Sequence, residues 1–248
     1  MLRFFHSLRR NLIEQDNMRK YVWYAIGEIL LVMIGILLAL QVNNWNEQNK
    51  KKAEAHLYHE YLLDDINLMI DDIDGTKQYA DANFSAIKTS LNALNKGYLE
   101  VPEDSVFEVF LYRYYKFTIS LQDLNTYKEM QSAGDLELIR NVHLRDELTD
   151  LLDRKDFFIE VHRTFHSNTH LTSDYLDPYL QYSFTSDTLN TNPVIKYNFN
   201  AMANDSVLIR KVSRQAMLWQ ESISFHDSYQ RRLGDVKALL IEEIERLN

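Results

Sequence analysis

The chain has 248 residues, no cysteine, and a formal charge of −9 from 27 Lys and Arg against 36 Asp and Glu. The missing thiol excludes disulfide frameworks, thiolate nucleophiles and cysteine-ligated zinc, and leaves either redox compartment open. The charge is uneven. Before Asn46 five basic residues (Arg3, Arg9, Arg10, Arg19, Lys20) oppose three acidic ones (Glu14, Asp16, Glu28), giving +2, so the remainder carries −11; an acidic body argues against nucleic acid as partner, while a basic head suits anionic lipid.

Residues 1–20 interleave Leu2, Phe4, Phe5, Leu8, Leu12 and Ile13 with arginines. Phe5, Leu8 and Leu12 recur at helical spacing, so the segment reads either as a short amphipathic helix on a membrane surface or as a flexible basic tail. From Tyr21 to Val42 the only formal charge is Glu28. As a helix this stretch spans roughly 33 Å, enough for the hydrocarbon layer of a bilayer. Tyr21, Trp23 and Tyr24 at one end and Trp45 at the other are the aromatic anchors expected at the two interfaces. Ile29–Leu40 has no polar face, unlike the core helix of a soluble protein, and Leu40-Gln41-Val42 is a poor signal-cleavage site, so a retained transmembrane helix over 21–42 is the reading. Five basic residues before it against three after it (Lys50, Lys51, Lys52) favour an N-terminus in the cytoplasm and a C-terminal body in the periplasm of a bacterium.

A lone carboxylate in lipid costs several kcal/mol, so Glu28 is expected to be protonated, drawn toward the headgroups or Lys20, or paired inside a helix contact. Gly35 and Val42 follow it at seven-residue intervals and Ala39 lies four beyond Gly35. These four share a stripe, and Gly35-x-x-x-Ala39 permits close helix approach, which makes the stripe a candidate contact for self-association or for another membrane protein.

Beyond Trp45 no breaker intervenes, and the span is expected to continue into the body. Tyr58, Leu62, Ile66, Met69 and Ile73 form an apolar stripe, with Asp64, Asp65, Asp71, Asp72 and Asp74 on other faces. Gly75 reads as a kink or break, after which Ala80, Phe84, Ile87, Leu91 and Leu94 resume the period. A turn runs from Lys96 to Pro102. Ser105 and Glu108 have capping-box spacing, and the next helix presents Val106, Phe110, Tyr114, Phe117 and Leu121. Its aromatic residues read first as core and second as a ligand groove lined by Tyr112 and Tyr115. Gly134 suits a helix stop. Leu136–Phe165 is expected to be a helical hairpin or one irregular helix, and 167–205 a loop-rich stretch with short helices, long enough to imply a function, an insertion or an unread element. Ile209, Val212, Ala216, Trp219 and Ile223, then Leu233, Leu240, Ile244 and Leu247, outline a last helix or helix pair. No segment alternates well enough for a sheet. The fold class expected is all-α: an N-terminal transmembrane helix continuing into an elongated soluble bundle over 43–248.

Chemical motifs are sparse. His162, His166 and His170 at i, i+4 and i+8 could align imidazoles for a metal, although the flanking Phe158, Val161 and Phe165 make a packed face the simpler reading. His56, His59 and Glu60 read as surface residues. The run around Asp74-Gly75 fails the calcium-loop pattern, which would put Ile70 at its first ligand position. No nucleophile elbow or phosphate loop occurs, so no cofactor and no catalytic residue is assigned.

The string YAIGEILLVMIGILLALQVNNWNE, with Gly27, Glu28, Gly35, Gln41, Asn43, Asn44, Trp45, Asn46 and Glu47, resembles the hallmark of single-span membrane proteins of Bacteroidetes grouped as domain of unknown function 6090. Thr126–Gly134, Leu138–Asn141 and Leu144–Leu148 resemble the middle segment of that family. The resemblance implies a bacterial inner-membrane protein with one N-terminal span, and no substrate or cofactor. The expected role is a membrane-anchored interaction or scaffold module, with a lipid bilayer and a protein or a second copy as partners; the alternatives are a small-ligand sensor and a purely structural homo-oligomer.

Overall fold

The computed structural model describes residues 18–114, 116, 121–184 and 194–247, and the side chains of all of these except 18–21, 102 and 170–173. The segment expected to precede the span therefore lies outside the described residues as far as residue 17, as do Tyr115 and Phe117. The chain forms two units, Met1–Ala55 and His56–Asn248. Among the described residues there are six α-helices: α1 (Met18–Lys96), α2 (Val101–Arg113), α3 (Asn125–Ala133), α4 (Val142–Ser173), α5 (Phe199–Ala203) and α6 (Ser206–Leu247). The all-α class holds.

In the second unit the buried positions recur in alternating steps of three and four. On α1 these are His59, Leu62, Ile66, Met69 and Ile73, then Ala80, Asn83, Ile87, Ser90 and Leu94. On α4 the sequence is Leu144, Leu148, Leu151, Lys155, Phe158, His162, Phe165 and Thr169. On α6 it runs Leu208, Val212, Gln215, Trp219, Ser222, His226, Tyr229, Leu233, Val236, Leu240 and Glu243. A strict seven-residue repeat keeps each seam facing its neighbours along the whole packed length. Gln230–Asp74 and Lys77–Asp227 tie α6 antiparallel to α1, and Gln215–Thr169 and His162–Ser222 tie it antiparallel to α4.

Between α1 and α4 the chain returns along α1 by α2, a connection of which residues 116 and 121–124 are described and lie outside helices and strands, and α3. The return is held by residues seven apart on α1: the Asp65 and Asp72 carboxylates accept the backbone N–H groups of Thr126 and Gln122 at 2.8 and 2.9 Å, and the Tyr79 hydroxyl donates to the Lys116 carbonyl at 2.8 Å. An irregular segment leaves backbone polar groups without a ladder, and these side chains supply the partners. Thr126 lies in the first turn of α3, so Asp65 also caps that helix from across the bundle. The aromatic residues of α2 are core: Phe107, Phe110 and Tyr114 are buried among Ile87, Leu94 and Trp219.

Several expectations need correction. Helix α1 runs through Gly75 without a break; one helical glycine costs only about 1 kcal/mol, which the buried seam on either side outweighs. Helix α2 starts at Val101, ahead of Ser105, because Glu103 receives the Glu100 N–H at 3.1 Å and Lys96 bridges both carboxylates. It stops at Arg113, short of Leu121. His59 is buried, not at the surface. Of the stretch expected to be loop-rich, Ser167–Ser173 completes α4, and Leu180–Ser183 (β1) pairs antiparallel with Val194–Tyr197 (β2). The strands are four residues long, too short to show alternation, and Tyr179, Tyr197 and Phe199 anchor them on the core. Gly134, expected to be a stop, ends α3 with φ of 85°.

The two glycines should respond oppositely to substitution. A Cβ at Gly75 meets no atom within 4 Å, whereas Gly134 holds a left-handed conformation that an L side chain resists. Gly75→Ala is expected to stabilise the second unit by about 0.5–1 kcal/mol and Gly134→Ala to destabilise it by about 1–2 kcal/mol, measured by denaturant unfolding of the full chain in mild detergent.

Candidate functional site

In the first unit every described side chain from Val22 to Val42 is exposed except Tyr24 and Ala25, which are half-buried. This part of α1 has a mean hydropathy of 2.4 over its most apolar window, none of it buried, and α1 is the one helix among the described residues long and apolar enough to cross a membrane. Glu28, Gly35, Ala39 and Val42 fall on one face, and a Cβ at Gly35 meets nothing within 4 Å. Trp23 and Trp45 are 68% and 65% exposed. The side chain of Tyr21 lies outside the described ones. After the apolar stretch, the Asn43 amide donates to the Glu47 carboxylate one turn on, at 3.0 Å, linking two positions of the Asn-Asn-Trp-Asn-Glu string.

The second unit has its own concentration of chemistry, a polar stretch of seam between α4 and α6. His162 Nδ1 lies 2.8 Å from the Phe158 carbonyl and Nε2 lies 2.7 Å from Ser222 Oγ. A carbonyl only accepts, so Nδ1 carries the proton and Ser222 donates to Nε2; the ring is neutral. The same logic protonates His226 Nδ1, 2.6 Å from the Ser222 carbonyl. The two imidazoles meet edge to face with centroids 5.5 Å apart, and Phe158 covers both. One layer further along, the Gln215 amide donates to Thr169 Oγ1 at 2.7 Å. Counted from the Lys77–Asp227 pair, Asn83 of α1 falls on the level of Ser222, and Ser90 on that of Gln215. Neither end of the buried Asn83 amide has a partner among the described residues.

Burial holds His162 well below its ordinary range, to about 4, with the His226 ring adding to the effect and the Phe158 carbonyl opposing it. Burial also lowers His226, against the pull of the Ser222 carbonyl and of Asp81 and Asp227, while Lys77 acts with it. Elsewhere Lys155, buried, pairs with Asp123, whose carboxyl is held below the usual range by hydrogen bonds from Lys128 and Lys155. Asn141 caps α4 through Leu144 N–H at 3.2 Å and donates to the buried Glu243 carboxylate at 2.8 Å.

Of the three candidate metal ligands, His162 is in the seam with both ring nitrogens engaged, His166 is exposed, and the His170 side chain lies outside the described ones. Among the described residues no three His, Cys, Asp or Glu converge on a point that would hold a metal ion. Tyr112 lines a groove between α2 and β2 with Glu108, Arg113, Val194 and Ile195, and Lys116 sits 3.4 Å over its ring; Tyr115 is outside the described residues. Sequence reading missed Ser222, His226, Gln215 and Asn83, which a strict heptad register on α1 and α6 would have flagged as polar residues at core positions.

Residues 28–162, more than half of the chain, match a family of unknown function (DUF6090). The chain belongs to this family. The DUF6090 match opens at Glu28 and closes at His162, so it takes in the span stripe and one histidine of the seam; α6, which supplies Ser222 and His226, lies beyond it. No curated protein and no solved structure matches the chain.

The neutral His162 makes stability depend on pH. The unfolded state takes up this proton near 6.5 and the folded state only near 4, so the contribution is complete above pH 6.5 and is lost as pH falls toward 4. Between pH 7 and pH 5 the second unit should lose about 2 kcal/mol through His162. His162→Gln removes that part of the slope, read from denaturant midpoints at the two pH values.

Proposed function

We propose that this protein is a membrane-anchored helical interaction or scaffold protein, held in a bacterial inner membrane by the single span of α1, with its N-terminus in the cytoplasm and its C-terminal body in the periplasm. The observation that carries the reading is the uncovered apolar surface of Val22–Val42, bounded by Trp23 and Trp45. Such a surface is stable in lipid, or against another apolar helix, and costly in water. Five basic residues ahead of the span support the orientation.

The body suits binding more than catalysis. Its seams repeat every seven residues on three helices, which supports a coiled-coil-like bundle, an architecture that presents long helix faces to partners. The stripe of Glu28, Gly35, Ala39 and Val42 supports self-association of the span, with the polar Glu28 side chain on the contact face. A second reading, a sensor of a small ligand, is favoured by the groove beside Tyr112.

The absence of native cysteine makes the contact directly measurable. Single cysteines at positions 28, 35, 39 and 42, oxidised in native membranes, are expected to cross-link the chain into dimers, while cysteines replacing Leu30 and Leu37 on the opposite face are not. Equal cross-linking at all six positions, or none at any, contradicts the self-association.

A further inference from the structure

A cleft of about 370 Å³ lies between the C-terminal half of α4 and the first turns of α6, lined by Asn168, Arg210, Lys211, Arg214, Gln215 and Leu218 among others. We propose that this cleft binds an anion bearing phosphate or carboxylate groups, through Arg210, Lys211 and Arg214.

Three cations fall within five residues of a part of the chain that carries −11 overall, and among the described residues no carboxylate lines the cleft. Arg210 and Arg214 stand one turn apart on α6, a like-charge spacing that destabilises a helix unless a counter-charge lies between them. Among the described residues the counter-charge is weak: Asp205 acts on Arg210 only through space, with no hydrogen bond or ion pair between them. Arg210 donates a long hydrogen bond to the Ser206 hydroxyl, at 3.4 Å, and Lys211 lies 4.4 Å over the Tyr175 ring. Arg214 makes no hydrogen bond or ion pair among the described residues. The nearby Asp205 is committed elsewhere: it accepts the N–H groups of Val207 and Leu208 at 2.8 and 3.1 Å and the Tyr179 hydroxyl at 2.6 Å.

The inner wall adds an independent feature. Gln215 is 2% exposed, and its amide nitrogen is fixed on Thr169, so a neutral polar side chain of the core forms the back of a basic cleft. Guanidinium groups presented side by side match the paired oxygens of phosphate and carboxylate. The cleft volume suits a compact ligand or a headgroup. It lies beyond the residues that match the family, and it is distinct from the groove beside Tyr112.

The test uses the full chain in lipid nanodiscs, followed by thermal unfolding. In zwitterionic lipid, inorganic phosphate or citrate is expected to raise the melting temperature with increasing concentration, relative to sodium chloride of equal ionic strength. That result identifies a free anion as the occupant. A rise that appears only when phosphatidylglycerol is included identifies a lipid headgroup. In either case Arg214→Gln is expected to weaken the effect at least tenfold in apparent affinity, measured against the variant's own unliganded melting temperature, which relief of the Arg210–Arg214 repulsion is expected to raise slightly. Lys211→Gln serves as a second variant with the same loss of apparent affinity, again measured against its own unliganded melting temperature, because it also removes the contact with the Tyr175 ring. The proposal is overturned if neither anion nor the anionic lipid stabilises the wild type beyond the salt control, or if both variants respond as the wild type does.

Discussion

The constraint on which the rest depends is that every side chain from Ile26 to Val42 is exposed. An apolar helix surface this long is costly in water, and among the described residues none packs along it. Glu28 is significant only within that frame: on a wet helix it would be an ordinary surface acid, whereas on an apolar one it is the costliest residue and the most specific. In the proposed self-association, the small residues Gly35 and Ala39 on the same face are where a neighbouring helix would come closest.

The second unit follows a different logic. Its three long helices share a seven-residue register, and a fully apolar seam of that kind is permissive, since helices can slide or repartner without loss. The layers of His162 with Ser222 and of Thr169 with Gln215 remove that freedom, because a shift of one turn would leave each hydrogen-bonding group facing carbon. The return segment is pinned in the same spirit by Asp65, Asp72 and Tyr79, which offer hydrogen bonds at intervals that match its backbone. Buried polar groups therefore fix the register of this bundle, at the cost of sensitivity to proton concentration through the neutral histidines.

Features that depend on local pattern were legible in the sequence. The apolar run, the stripes Leu62–Ile73 and Ala80–Leu94, the aromatic core of α2 and the stop at Gly134 each follow from residue type and spacing within one element. What escaped was decided by packing between elements. Gly75 is tolerated because the seam on both sides keeps the helix continuous across it, and Ser105 lost its cap position to Glu100 and Glu103, which Lys96 favours from the preceding helix. The hairpin strands are too short for alternation to register. His59 and Asn83 look like surface residues by type, and only their place in the heptad count marks them as core. The polar partners of the seam come from helices 46 to 60 residues apart in sequence, so no local window contains them.

Fractionation tests the central claim most directly: untagged full-length protein, expressed in a bacterium and never exposed to detergent, is followed through ultracentrifugation and alkaline carbonate washing of the membranes. The account predicts that the chain stays in the membrane pellet through the wash. Recovery of intact, dispersed protein in the first supernatant would contradict it.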